Sequence, residues 1–195
     1  IASGTFGSLV AIVIYLFPGF EKLQIIIPAI ILLFAYGLFV SSKFEKVYEA
    51  SIKEGYIPLA HAGEEGPASY IWEAIDLLKI KRIDHGNNAL LDDVLVDTLV
   101  ERDIALTVCP LSNLALKVVD DLKKHPLKKM VDLGLKITLN SDDPAYFGGY
   151  LNQNLIEIQQ ALNLSRSEIK KLIINSFKSS FLTKIQKKDW INKIQ

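Results

Sequence analysis

Four short polar clusters punctuate an apolar-rich chain: His61-Ala-Gly-Glu64, His85-Gly86, Cys109-Pro-Leu-Ser-Asn113 and Asn140-Ser-Asp-Asp-Pro144. A neutral imidazole and a carboxylate both suit a first-row divalent ion such as Zn(II), so His61 and Asp142 are candidate metal ligands. Zinc lowers the pKa of bound water to about 7. Hydrolysis at such a site then needs a carboxyl that shuttles protons and a polar group that orients the nucleophile. Glu64, three residues after His61, and His85 are candidates for these catalytic tasks, with Asp142 beside them. In the pair Asp142-Asp143, one carboxylate can face a metal while the other accepts a hydrogen bond from substrate.

Other polar positions read as structural. Asp143-Pro144 is also a common turn opener. His125, in the Lys123-Lys-His-Pro loop, is expected to be solvated, because loops lie at the surface. Cys109 has no nucleophile motif around it and is expected to be a small buried hydrophobe in a strand. Lys184 to Lys188 reads as a solvated face.

The elements that must position the clusters alternate from Ser42 onward. Phe44 to Glu54 reads as an amphipathic helix closed by Lys53-Glu54-Gly55. Strands are expected at Tyr56–Ala60, Arg82–Asp84, Ala105–Val108 and Lys136–Leu139. Helices are expected at Ser69–Ile80, Val94–Arg102, Leu127–Leu133 (with Gly134 as C-cap), Leu155–Leu162 and Ser167–Phe177, then in a basic tail containing Trp190. A β-α-β-α rhythm means parallel strands joined by crossover helices. Every polar cluster falls at the C-terminal end of a strand, where barrels and open α/β sheets place their chemistry.

Composition narrows the class. The 195 residues and 21.8 kDa allow one domain with a sizeable core, short of the ~250 residues of a complete (β/α)8 barrel. Lys+Arg 22 against Asp+Glu 22 leaves no net charge, so no nucleic-acid partner is expected. The single cysteine excludes an internal disulfide framework and a multi-cysteine metal cluster. Of the first 40 residues, 28 are apolar and only Glu21 and Lys22 are charged. The run Leu9–Phe17 ends at Pro18-Gly19, and Ile25–Val40 is broken by Pro28 and Gly37. Against the ~20 apolar residues of a membrane span, these lengths disfavour a membrane segment, and the β-branched stretches Val10–Ile14 and Ile25–Ile27 read as buried strands. The chain therefore divides into an apolar segment, 1–40, and a second part, 41–195.

Taken together, His61-Ala-Gly-Glu-Glu-Gly-Pro67, Arg82-Ile-Asp-His-Gly86, Cys109-Pro-Leu-Ser-Asn113 and Ser141-Asp-Asp-Pro-Ala-Tyr-Phe-Gly-Gly149 resemble the adenosine and adenine deaminase family. The adenine deaminase branch is the nearer, and Asn175–Leu182 resembles that family's C-terminal helix. The resemblance runs from about Lys43 to about Leu182. It implies an α/β fold, the C-terminal portion of a (β/α)8 barrel with an atypical apolar N-terminal segment. It further implies one zinc per site and conversion of adenine and water to hypoxanthine and ammonia, in purine salvage and in the cytoplasm. Adenosine deamination is the alternative within the family, and a homo-oligomer is compatible with it. Carried over by position, His61 and Asp142 would bind zinc, and Glu64 would protonate the purine nitrogen beside the attacked carbon. His85 would orient the attacking hydroxide, and Asp143 would hold the base.

The family also places a His-x-His pair of zinc ligands on its first barrel strand, whereas no histidine precedes His61 here. The expectation is that these residues alone lack half the protein ligands and act, if at all, as a non-catalytic fragment. Residues 1–40 do not resemble the family's earlier strands. They read as an out-of-frame or foreign sequence joined to the deaminase half, with an apolar anchor as the competing reading.

Overall fold

The computed structural model describes residues 22–194, apart from the side chain of Ser42, and divides the chain into two units, residues 1–56 and 57–195. The expected strand Val10–Ile14 and the run Leu9–Phe17 lie outside the described residues.

Among the described residues of the first unit, helix α1 runs Leu23–Lys53 for 31 residues. It overturns two expectations: Ile25–Ile27 is helical rather than a strand, and Pro28 does not stop the helix. Pro28 removes only the hydrogen bond to Gln24 in the opening turns, and the Ala and Leu residues that follow favour helix strongly enough to propagate past it. The amphipathic segment from Phe44 continues the same helix. Gly55, at φ +91, turns the chain beyond its end as predicted. With a mean hydropathy of 2.5 over its most apolar 18 residues, α1 is long and apolar enough to cross a membrane by length and composition, a criterion the interrupted run alone does not meet.

The second unit holds four parallel strands in the order β1 (Ala60–Ala62), β2 (Arg82–His85), β3 (Ala105–Val108) and β4 (Lys136–Leu139). This is the parallel α/β architecture expected from the alternation. β1 begins four residues later than predicted, placing His61 inside the strand. Between the strands lie α2 (Ala68–Asp76), α3 (Asp93–Glu101), α4 (Pro110–Ala115) and α5 (Leu127–Asp132). After β4 come α6 (Pro144–Phe147), α7 (Leu151–Leu162), α8 (Arg166–Ser179) and α9 (Lys184–Ile194).

The register explains why one sheet face is core and the other chemistry. Ala60, Ile83, Leu106 and Ile137 stand side by side across the four strands. The last three are wholly buried against helix residues such as Ile71, Leu95, Leu99, Met130, Ile158 and Leu172. Each such side chain contributes about 1.5–3 kcal/mol by leaving water. One residue further along, the period-2 alternation turns His61, Asp84, Thr107 and Thr138 to the other face in a second aligned row. Helix ends are fixed locally: Asp92 caps α3 by accepting from Leu95 N, and Ser165 with Glu168 forms a capping box at α8.

Candidate active site

The polar row leads to a cavity of about 260 Å³ lined by His61, Asp84, His85, Thr107, Cys109, Asn140, Ser141 and Asp142. Two of its residues hold the left-handed backbone conformation: His85 at φ +70 and Asp142 at φ +59. Such a conformation costs a non-glycine residue about 1–2 kcal/mol and is found at sites where it aims a side chain. Gly86 (φ +78) follows His85 because a Cβ there would come within 2.8 Å of Leu106 Cδ2. The chain can therefore turn the imidazole inward only over a glycine.

Glu64 is carried by the loop after β1, and this loop is tied to the next strand end. Gly86 N donates to Ala62 O, Asn88 N to Gly63 O, and Asn88 Nδ2 to both Glu64 O and Gly66 O. Glu64 Oε1 lies 3.2 Å from His85 Nδ1 and accepts from Asn113 Nδ2 at 3.0 Å. Burial, followed by the nearby Asp142 and Glu65 charges, raises the Glu64 pKa above the usual carboxylate range. Burial lowers the His85 pKa, favouring neutral imidazole.

Asp142 accepts from Ser112 Oγ at 2.7 Å, and its Oδ2 lies 3.9 Å from His85 Nε2. His61 shares the cavity with its ring centroid 5.1 Å from that of His85; its side chain is 72% exposed, and its Nδ1 is 3.7 Å from Asp84 Oδ2. Asp84 in turn accepts from Thr107 Oγ1 at 2.9 Å and lies beside Arg82. Asp143 stands outside the cavity lining, where its Oδ1 accepts from Ala145 N and caps α6, the turn-opening role.

His85, Cys109 and Asp142 offer donor atoms within 4.8 Å of one another. Cys109 is buried as expected, although just past β3 rather than within it. Desolvation pushes its thiol up to about 12, and its Sγ contacts Thr107 O. The other donors suit a divalent ion: imidazoles and a carboxylate on one polar cavity, with His85 Nδ1 buried and without a hydrogen-bond partner among the described residues. His61 and Asp142, the two ligands expected from the sequence, both line this cavity, where a catalytic zinc commonly takes three protein ligands.

His125 corrects the sequence reading. It is 3% exposed rather than solvated, because both its ring nitrogens find partners inside the protein, Leu127 N and Asn113 Oδ1. Ser112 and Asn113, both fully buried, received no individual role from the sequence. Pro110 at the first helical position was the signal, since a helix starting there returns residues two and three positions on toward the strand ends. Asn154, also buried, secures that helix by accepting from Leu111 N while donating to Gly149 O and Tyr150 O.

A family model described as Adenosine deaminase matches residues 34–195, which takes in the end of the apolar segment. The adenine deaminase of Acinetobacter baylyi is 52% identical over 153 residues, covering 78% of this chain and 46% of that protein. The crystal structure of adenine deaminase from Arthrobacter aurescens superposes with a TM-score of 0.75 at 46% identity, covering 78% of this chain and 47% of that one. An amidohydrolase from Burkholderia ambifaria, solved with bound Zn, gives a TM-score of 0.69 at 28% identity, over 76% of this chain and 42% of that one. The chain spans about half the length of the curated relatives it matches.

Proposed function

The chain belongs to the adenosine deaminase family, and on that premise we propose that it carries the acid–base half of an adenine deaminase, converting adenine and water to hypoxanthine and ammonia. The observation that carries this reading is the convergence of Glu64 and Asp142 on the two ring nitrogens of His85, at 3.2 and 3.9 Å, beside the cavity at the C-terminal ends of the parallel strands. The names of relatives about half identical to it supply the substrate class.

Glu64 is the general acid. Burial raises its pKa, so a proton is retained closer to neutral pH than on an ordinary carboxyl and can be given to the purine nitrogen beside the attacked carbon. His85, neutral and held by the left-handed turn before Gly86, orients the attacking water. Asp142, fixed by Ser112, accepts a proton from that water. Asp143 releases its cap on α6 in part to hold the base by hydrogen bonding.

Zinc is the proposed metal, held here by His61 and Asp142, with the remaining ligands supplied by protein outside residues 61–195. When bound it supplies Lewis acidity and lowers the pKa of water.

The test is ammonia release by the intact protein with zinc supplied, on adenine and on adenosine in parallel. A higher kcat/KM on adenine is the expected result. Turnover of adenosine alone would replace adenine as substrate, and no ammonia from either purine would overturn the enzymatic reading.

A further inference from the structure

His125 takes no part in the roles above, yet it belongs to a buried chain of hydrogen bonds that ends on Glu64. Leu127 N donates to His125 Nδ1 at 3.1 Å, so that nitrogen carries the lone pair and the ring proton sits on Nε2. His125 Nε2 lies 3.2 Å from Asn113 Oδ1 and must donate to it. With its oxygen so engaged, Asn113 can turn only its Nδ2 toward Glu64, where it donates to Oε1 at 3.0 Å. Asn113 is fully buried and His125 is 3% exposed, so water does not compete for these bonds.

We propose that His125 and Asn113 are positioning residues for the general acid, a relay that fixes Glu64 Oε1 as acceptor and leaves Oε2 as the oxygen that delivers the proton. The alternative tautomer makes the logic visible. With its proton on Nδ1, His125 would lose the Leu127 bond, and its Nε2 would accept from Asn113 Nδ2. Asn113 Oδ1 would then face Glu64 Oε1, repelling the carboxylate or drawing the acid's proton onto Oε1 and away from substrate. The backbone N–H of Leu127, at the start of α5, therefore selects one amide orientation two bonds away. His85 Nδ1 lies on the same side, 3.2 Å from Oε1, which also leaves Oε2 as the oxygen open to substrate. Burial, which pushes the His125 pKa down to about 4, keeps the ring in its single-proton form at neutral pH.

This inference rests on the acid role of Glu64, and two variants of the intact, zinc-supplied protein test it. In His125→Gln, the side-chain amide reaches the Nε2 position and can still donate to Asn113. In His125→Asn, the shorter amide reaches only the Nδ1 position and can still accept from Leu127 N. A relay predicts kcat on adenine within about threefold of wild type for Gln and about 10- to 100-fold lower for Asn, with KM little changed in both. A purely structural turn-holding role predicts the reverse order. That order, or equal losses, overturns the proposal.

The second readout needs no turnover. Long-range nitrogen–proton NMR at pH 7 is expected to show His125 as the Nε2–H tautomer, and the Nδ1–H tautomer overturns the relay even if the protein proves inactive on adenine. Wild-type inactivity with the expected tautomer would instead count against the deaminase reading alone.

Discussion

The two ends of the four-stranded sheet use the same unusual backbone for opposite purposes. At the N-terminal ends, Lys79 (φ +54), Asp103 (φ +54) and Gly134 (φ +85) turn the chain from helix into strand. Lys79 is exposed, while Asp103 pairs with Lys136 at the start of the neighbouring strand β4. At the C-terminal ends, His85 (φ +70) and Asp142 (φ +59) are just as left-handed, but their side chains point into a cavity. Left-handed residues at the first end close turns that many residue types can close. At the second end they aim specific side chains, and the surrounding core holds them there. The difference teaches that strain marks a functional site only where burial and convergence accompany it.

The largest expected effect separates the two ends chemically. Glu64→Ala should reduce turnover of adenine on the order of 10³-fold while metal content stays unchanged, whereas Arg102→Ala, which breaks the exposed pair with Asp76, should leave kcat/KM alone. Zinc analysis beside steady-state kinetics checks both, and equal losses would erase the distinction.

Leu106→Ala reaches the active end from beneath, because Leu106 is fully buried and fills the space under Gly86. A loss of about 2–5 kcal/mol is expected in denaturant titration, from transfer and cavity terms together.

His125 gives the comparison a pH axis. Its folded pKa of about 4 lies below the ordinary value near 6.5, so below pH 6.5 the unfolded chain binds a proton that the folded chain refuses. The stability contribution is complete above pH 6.5, falls as pH drops, and is fully lost below pH 4. It amounts to about 3 kcal/mol at 1.36 kcal/mol per unit. Denaturation at several pH values should show that much less acid sensitivity in His125→Gln than in wild type.

The smallest effect belongs to the other end of the sheet. Lys79→Gly relieves left-handed strain at an exposed turn, against glycine's greater entropy cost, and should raise stability by about 0.5–1 kcal/mol with unchanged turnover. A drop in turnover would mean the two ends are coupled.

Much of this was legible in the chain. β3 and β4 lie where β-branched and apolar runs placed them, because short buried strands are bounded by turn residues that say where to stop. His61, Glu64, His85 and Asp142 announced themselves as polar residues at strand ends. The first described helix was misread because local rules about Pro28 and β-branched residues were weighed without the length of helix that could absorb them. His125 was misread for a related reason: a Lys-Lys-His-Pro stretch is polar as a string, yet one of its residues turns inward.

Sequence by itself determined the parallel alternation, the apolar row that forms the core, and the residue types available for acid–base and metal chemistry. Period-2 alternation and helix signals act over a few residues, so they survive in a string. Only the tertiary structure decided that Asn113 would lie between His125 and Glu64, that Ser112 would hold Asp142, and that Asp143 would cap a helix beside the cavity rather than line it. Those contacts join residues up to 49 positions apart. Their geometry follows from strand register and side-chain packing, which no local pattern encodes.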